Sequence, residues 1–141
     1  MPGGKTGFMR CPGLVLIVPA LLASCSEARQ QSHLAESTWR FDLIDGKQPE
    51  TRPSGITFDG EQIGIEVGCS SLQGPWHVDA GRLFAGPLAQ SGGGCIASSA
   101  EQGSAVNALL VATPRITLQA DRMTLQSSGH TAQLVRVDGG R

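Results

Sequence analysis

The stretch from Ile63 to Val78, IGIEVGCSSLQGPWHV, decides the architecture of this chain. Ile63, Ile65, Val67 and Cys69 fall on one side, and Gly64, Glu66 and Gly68 on the other. Alternation with a period of two marks a half-buried strand. The run breaks at Gly68-Cys69-Ser70-Ser71, passes Gly74-Pro75, and resumes with Trp76 and Val78 facing one way. The stretch therefore predicts a strand, a tight irregular connection with a cysteine at the corner, and a second strand. It contains neither a nucleophile–base pair nor a phosphate-binding loop.

Upstream, residues 38–44 (TWRFDLI) alternate with Trp39, Phe41 and Leu43 together, which predicts a first strand. Residues 45–55 (DGKQPETRPSG) hold two prolines and two glycines and read as an exposed loop. Ile56-Thr57-Phe58, then Asp59-Gly60, then residues 62–69 carry a hairpin signature, with Asp-Gly as the preferred pair for a type I′ turn.

Downstream of the corner, residues 75–79 predict a short strand. Ala80-Gly81 predicts a turn into residues 82–88, and Ser91-Gly92-Gly93-Gly94 a flexible link into Cys95. No lysine followed by serine or threonine accompanies these glycines, so they are no phosphate motif. Ser98 and Glu101 have the spacing of a capping box. Ala105, Val106, Leu109, Leu110 and Ala112 then lie at helical spacing, and Pro114 stops the segment. Gly103 weakens that helix by about 1 kcal/mol. The chain ends in a meander: Ile116, Leu118 and Ala120 share one face, and Met123 and Leu125 another. Residues 131–137 form a last strand whose inward phase stays open, because Leu134 and Val135 are adjacent.

The 141 residues allow one domain with a modest core. A net charge of −1 with both signs scattered offers no electrostatic footprint for nucleic acid. Lys5 and Arg10 precede a short apolar run, residues 14–23, interrupted by Pro19. That run is too short to span a bilayer, for which roughly 20 apolar residues are needed. It reads as a signal peptide over residues 1–24, starting at Met1 or Met9. Leu22-Ala23-Ser24-Cys25 resembles a bacterial lipobox, which implies a lipid anchor on Cys25, palmitate included, and a mature chain beginning there; a secretory signal with a chance cysteine is the alternative. Removing residues 1–24 leaves nine basic against twelve acidic groups, a net charge of −3. Ser26 after the cysteine favours the outer membrane, facing the periplasm, and residues 25–35 read as a polar tether. Cys11 leaves with the signal, so Cys69 and Cys95 remain as a pair in an oxidising compartment. A disulfide between them is expected, with two buried free thiols as the alternative.

Taken in order, Trp39 in the first strand, residues 56–58 before a hairpin, and Gly68-Cys69 with Gly74 and Trp76 at the corner resemble the META (HslJ-like) domain family of heat-shock lipoproteins. Cys95 before the helix and Met123-Thr124-Leu125 in the meander extend the likeness over about residues 36–137. Ser70 stands where the family has asparagine, and Gly93-Gly94-Cys95 replaces its Met-Ala-Cys run. The resemblance implies an α+β domain over residues 36–138: a small, strongly curved antiparallel sheet, open and barrel-like, packed by one main helix. It implies a fold more than a function.

Four functions compete at this stage. A non-enzymatic, monomeric envelope lipoprotein supporting stress tolerance would bind a protein partner or a small apolar ligand. Trp39, Phe58, Trp76 and Leu109 would line its groove unless they form the core. An enzyme is disfavoured, because His33, His77 and His130 have no nucleophile at a suggestive spacing, and Asp42, Glu66 and Asp79 lie on polar phases. A metal site through Cys69, Cys95 and His77 falls short of four zinc ligands, so neither metal nor cofactor is expected. The runner-up is a membrane-presented inhibitor of a hydrolase of lysozyme or protease type, inserting residues 45–55 or 91–94.

Overall fold

β3 (Gln62–Val67) and β4 (Ser70–Asp79) form the hairpin that the Ile63–Val78 stretch predicts. These elements come from a computed structural model that describes residues 28–92 and 96–137. The expected signal peptide (1–24), Cys25 and Cys95 lie outside the described residues. The connection is tighter than the sequence suggests. Only Gly68-Cys69 separates the strands, and Ser70 to Pro75 already pair with Val67 to Gln62. Ile63, Ile65 and Val67 face inward, as do Leu72, Trp76 and Val78. His77 is exposed, as its phase requires.

The other strands are β1 (Ser37–Ile44), β2 (Gly55–Phe58), β5 (Arg82–Ala85), β6 (Ala89–Gly92), β7 (Arg115–Gln119), β8 (Arg122–Gln126) and β9 (Thr131–Arg136). All pairings are antiparallel, in the order β3-β2-β1-β9-β8-β7-β5-β4, and the β3–β4 pairing closes the ring. The expected curved sheet thus closes into an eight-stranded barrel. β6 extends the sheet outside the ring, pairing with residues 70–73 of β4. The seam between β5 and β7 is thin. It rests on the Arg82–Arg115 pair, the Leu83 N–H donating to Pro114 O (2.9 Å) and the Ile116 N–H donating to Gly81 O (3.0 Å).

One main helix, α2 (Ala97–Val111), follows β6, and a shorter helical segment, α1 (28–34), precedes β1. α2 touches β1, β3 and β5, which lie on separate arcs of the ring. Its Val106, Leu109 and Leu110 join the barrel core. The helix therefore plugs the barrel, as its apolar stripe predicts. The capping box does not form. Ile96 is the N-cap and no side chain caps the helix, because it starts at Ala97 and leaves Ser98 within the first turn.

Local chemistry accounts for the remaining departures. A bulge between Phe41 and Leu43 turns Ile44 inward in place of Leu43. Of the two Asp-Gly pairs among the described residues, Asp45-Gly46 makes the type I′ turn, with φ of 52° and 81°. Ile44 and Lys47 bond across it (2.7 and 3.0 Å). The Asp59-Gly60 region is a hairpin turn of another kind, in which the Asp59 carboxylate accepts the Gln62 N–H (3.3 Å). Neither Asp59 nor Gly60 has a positive φ there. Residues 28–35, read as tether, are instead part of the domain. Leu34 is fully buried, and the Ser37 hydroxyl donates to Leu34 O. The Gln31 side chain accepts the Val78 N–H (2.8 Å). A single apolar residue in a polar run gives no helical period, so the sequence hid this helix. β6 (Ala89–Gly92) takes in Ser91 and Gly92 of the expected flexible link over 91–94, because its backbone completes the free side of β4. In β9 the inward residues are Ala132 and Leu134.

Candidate functional site

A closed barrel presents its outward phase to solvent, and on one arc that phase is walled into a groove of about 830 Å³. Two cross-strand rows make its floor. One runs Arg40–Gly55–Glu66–Ser71–Ser91 and the other Thr38–Thr57–Gly64–Gln73–Ala89, across β1, β2, β3, β4 and β6. Alternation alone puts these side chains outside, since Trp39, Ile56, Ile65 and Leu72 between them are buried.

One wall is the β1–β2 loop, through Pro49, Arg52, Pro53 and Ser54, and the opposite rim is β6. The wall is held from behind. Gln102 of α2, 8% exposed, accepts the Glu50 N–H through Oε1 (2.7 Å) and donates from Nε2 to Gln48 O (2.9 Å). Thr51 donates its hydroxyl to Gly68 O (2.7 Å), and the Phe41 N–H reaches Ser54 O (3.1 Å). The loop is thereby tied to the helix, the β3–β4 corner and β1. Among the described residues, Arg40, Arg52 and Glu66 of the groove form neither an ion pair nor a side-chain hydrogen bond.

The residues singled out from the sequence lie elsewhere. Trp39, Phe58, Trp76 and Leu109 are all core, each at most 5% exposed. Phe58 and Trp76 meet edge to face at 4.7 Å, and the Trp39 indole donates to the Ser37 hydroxyl (2.8 Å). Cys69 is disulfide-bonded, and the chain's other cysteines lie outside the described residues. The three histidines sit apart, each with its own partner. His33 Nε2 accepts from Arg136 (3.3 Å), and His77 stacks on Phe84 at 4.8 Å. His130 Nδ1 donates to Asp45 Oδ2 (2.8 Å). Partial burial pushes the Asp45 carboxyl up. The bonds from His130 and the Thr131 N–H outweigh it and hold the group below its ordinary 3.8. Among the described residues no three His, Cys, Asp or Glu side chains gather as metal ligands.

Sequence reasoning passed over Arg40, Arg52, Thr57, Gly64 and Gln73, because outward polar residues on alternating strands look like any solvated face. The available signal was Gly64, a glycine in mid-strand without a turn.

A family model described as the META domain matches residues 32–139. No curated protein matches the chain by sequence. Solved structures share the fold, two of them as follows. One NMR structure is 20% identical with a TM-score of 0.70, over 79% of this chain and 97% of that one. An NMR structure of a protein from Burkholderia xenovorans is 19% identical with a TM-score of 0.60, over 75% of this chain and 85% of that one.

Proposed function

The chain belongs to the META domain family, and from that premise we propose that it is a non-catalytic module of the bacterial envelope, anchored through a lipid on Cys25, that binds a protein partner in support of stress tolerance. The outer membrane, on its periplasmic face, is the address that Ser26 favours. The observation that carries the binding role is the groove, whose wall is fixed by Gln102 from outside the groove itself. A wall held in place before a ligand arrives lowers the ordering cost of binding. A partner rather than a small apolar ligand is favoured because Trp39, Phe58, Trp76 and Leu109 pack the interior, and the groove is an open floor across five strands rather than an enclosed apolar cavity. The loop over residues 45–55 is tied down rather than projecting, which favours this reading over inhibition of a hydrolase. A non-catalytic role fits the histidines, which are separated and engaged in stacking with Phe84, pairing with Asp45 and a hydrogen bond from Arg136.

Photo-crosslinking in intact cells tests the proposal. A benzophenone amino acid replaces Gln73, in the groove, or Thr117, on the far side of the ring. A discrete adduct from position 73 alone is expected. No adduct from position 73, or equal adducts from both, refutes binding through this face.

A further inference from the structure

We infer that the groove receives an extended peptide segment bearing a carboxylate, laid across β1–β4 and β6 with that carboxylate on Arg40 and Arg52; this rests on the partner-binding reading above. The first ground is a contrast between two glycines of the floor. A Cβ on Gly55 would stand 2.2 Å from Trp39 O, so the fold itself demands glycine there. A Cβ on Gly64 would meet nothing within 4 Å, and its φ is not left-handed. Glycine within a strand costs conformational entropy and offers no packing, and it marks places where a ligand or another backbone comes close. Gly64 sits between Thr57 and Gln73 in the floor. Among the described residues, nothing uses the clearance it provides.

The second ground is size. The floor crosses five strands, and four strand spacings come to about 19 Å. An extended chain rises about 3.3 Å per residue, so roughly six residues span it. The third is chemistry. Thr38, Thr57, Ser71, Gln73, Gln90 and Ser91 offer hydroxyls and side-chain amides along the floor and rim. A side-chain amide carries the same donor and acceptor as a peptide group. The aromatic residues among the lining, Trp39 and Phe41, are buried, so no stacking platform for a sugar or base is presented.

Charge sets the orientation. Arg40 and Arg52 outnumber Glu66 within the groove, against a net charge of −1 for the chain. Guanidinium groups take carboxylates in a bidentate fork. Gly55 puts no side chain between Arg40 and Glu66 in their row. A chain crossing there presents its carboxylate to the arginines and an N–H to Glu66.

The test uses the full chain in detergent micelles and fluorescent hexapeptide pools, with one position fixed as Glu, Gln or Lys and the rest mixed. Glu-fixed pools should bind at least tenfold tighter than the other two. R40Q with R52Q should bring them down to the Gln-fixed level. Gly64→Val should abolish binding while its urea midpoint equals or exceeds that of the parent. If that variant is destabilised, Gly64→Ala, a single methyl into open space, carries the same test. Equal binding by all pools, preference for Lys, or binding indifferent to Gly64 substitution overturns the assignment. Absence of pool binding with crosslinking at position 73 retained sinks the peptide chemistry alone. Loss of both sinks the partner reading as well.

Discussion

Replacing Gln102 with methionine removes two hydrogen bonds while keeping the length of the side chain. In the parent, Gln102 reaches from α2 to Glu50 N (2.7 Å) and Gln48 O (2.9 Å), from a site only 8% exposed. A neutral hydrogen bond contributes about 1 kcal/mol net. Gln48 and Glu50 are themselves exposed, so water can satisfy the groups that Gln102 releases and no full desolvation penalty remains. The expected loss is about 2 kcal/mol, the sum of two ordinary bonds. Urea unfolding reads this as a lower midpoint at unchanged slope, since the surface exposed on unfolding stays the same. Amide exchange adds a local readout: the Glu50 N–H should exchange at least ~10-fold faster, because about 1.4 kcal/mol is a factor of ten. Hexapeptide affinity should fall too, although Gln102 is not among the groove's lining residues. A Gln102→Met protein with the parent's urea midpoint and unchanged Glu50 exchange would refute the claim that the helix holds the wall.

Three further outcomes follow from the packing. Asp45 titrates below its ordinary value of 3.8 in the folded chain, so its stabilising effect is complete above that value and is lost as pH falls through the folded value. The urea midpoint should therefore drop below about pH 4, and Asp45→Asn should flatten that part of the profile. Ser37→Ala leaves the fully buried Trp39 indole N–H without its acceptor and Leu34 O without its donor. A loss of about 2–3 kcal/mol is expected, read by urea unfolding, and Ser37→Thr should restore most of it. For Cys69, a peptide map of unreduced protein should recover it joined to Cys95. Opening that loop should cost about 3.5 kcal/mol in the chain-entropy model, and two free thiols in the denatured, unreduced protein would exclude the bridge.

The fold was legible wherever one face of an element is buried. Ile63, Ile65 and Val67, Trp76 with Val78, and Met123 with Leu125 announce their strands by alternation, and all are core. The reading failed where tertiary contacts decide. Leu34 is one apolar residue in a polar run, and only the finished barrel gives it a place to be buried. Asp45-Gly46 and Asp59-Gly60 are the same dipeptide. Asp45-Gly46 takes the type I′ form where Ile44 and Lys47 bond across it, whereas Asp59 uses its own carboxylate to cap Gln62. The groove was the least legible part. Its floor joins residues from five strands, and registers between strands as distant in sequence as β1 and β6 leave no trace in local pattern. Gly64 alone broke the pattern, and a glycine in a strand names no ligand.

The placement of the groove follows from how the barrel closes. A small eight-stranded barrel has an interior just wide enough for its own side chains, and here α2 adds Val106, Leu109 and Leu110 to that interior. Recognition is thus pushed to the outside. The outer arcs differ in stiffness, because β5 and β7 share one register pair whereas β1 to β4 are joined by continuous ladders. The groove lies on the continuous arc. Its wall is tied at Gln102 to the helix that plugs the barrel, and at Thr51 to the corner beside disulfide-bonded Cys69. A site held to rigid elements at several points loses little freedom when it binds. The Cys69 bridge, the Gln102 clamp and the Thr51 tether therefore act on one object, and loosening any of them should weaken the groove before it unfolds the barrel.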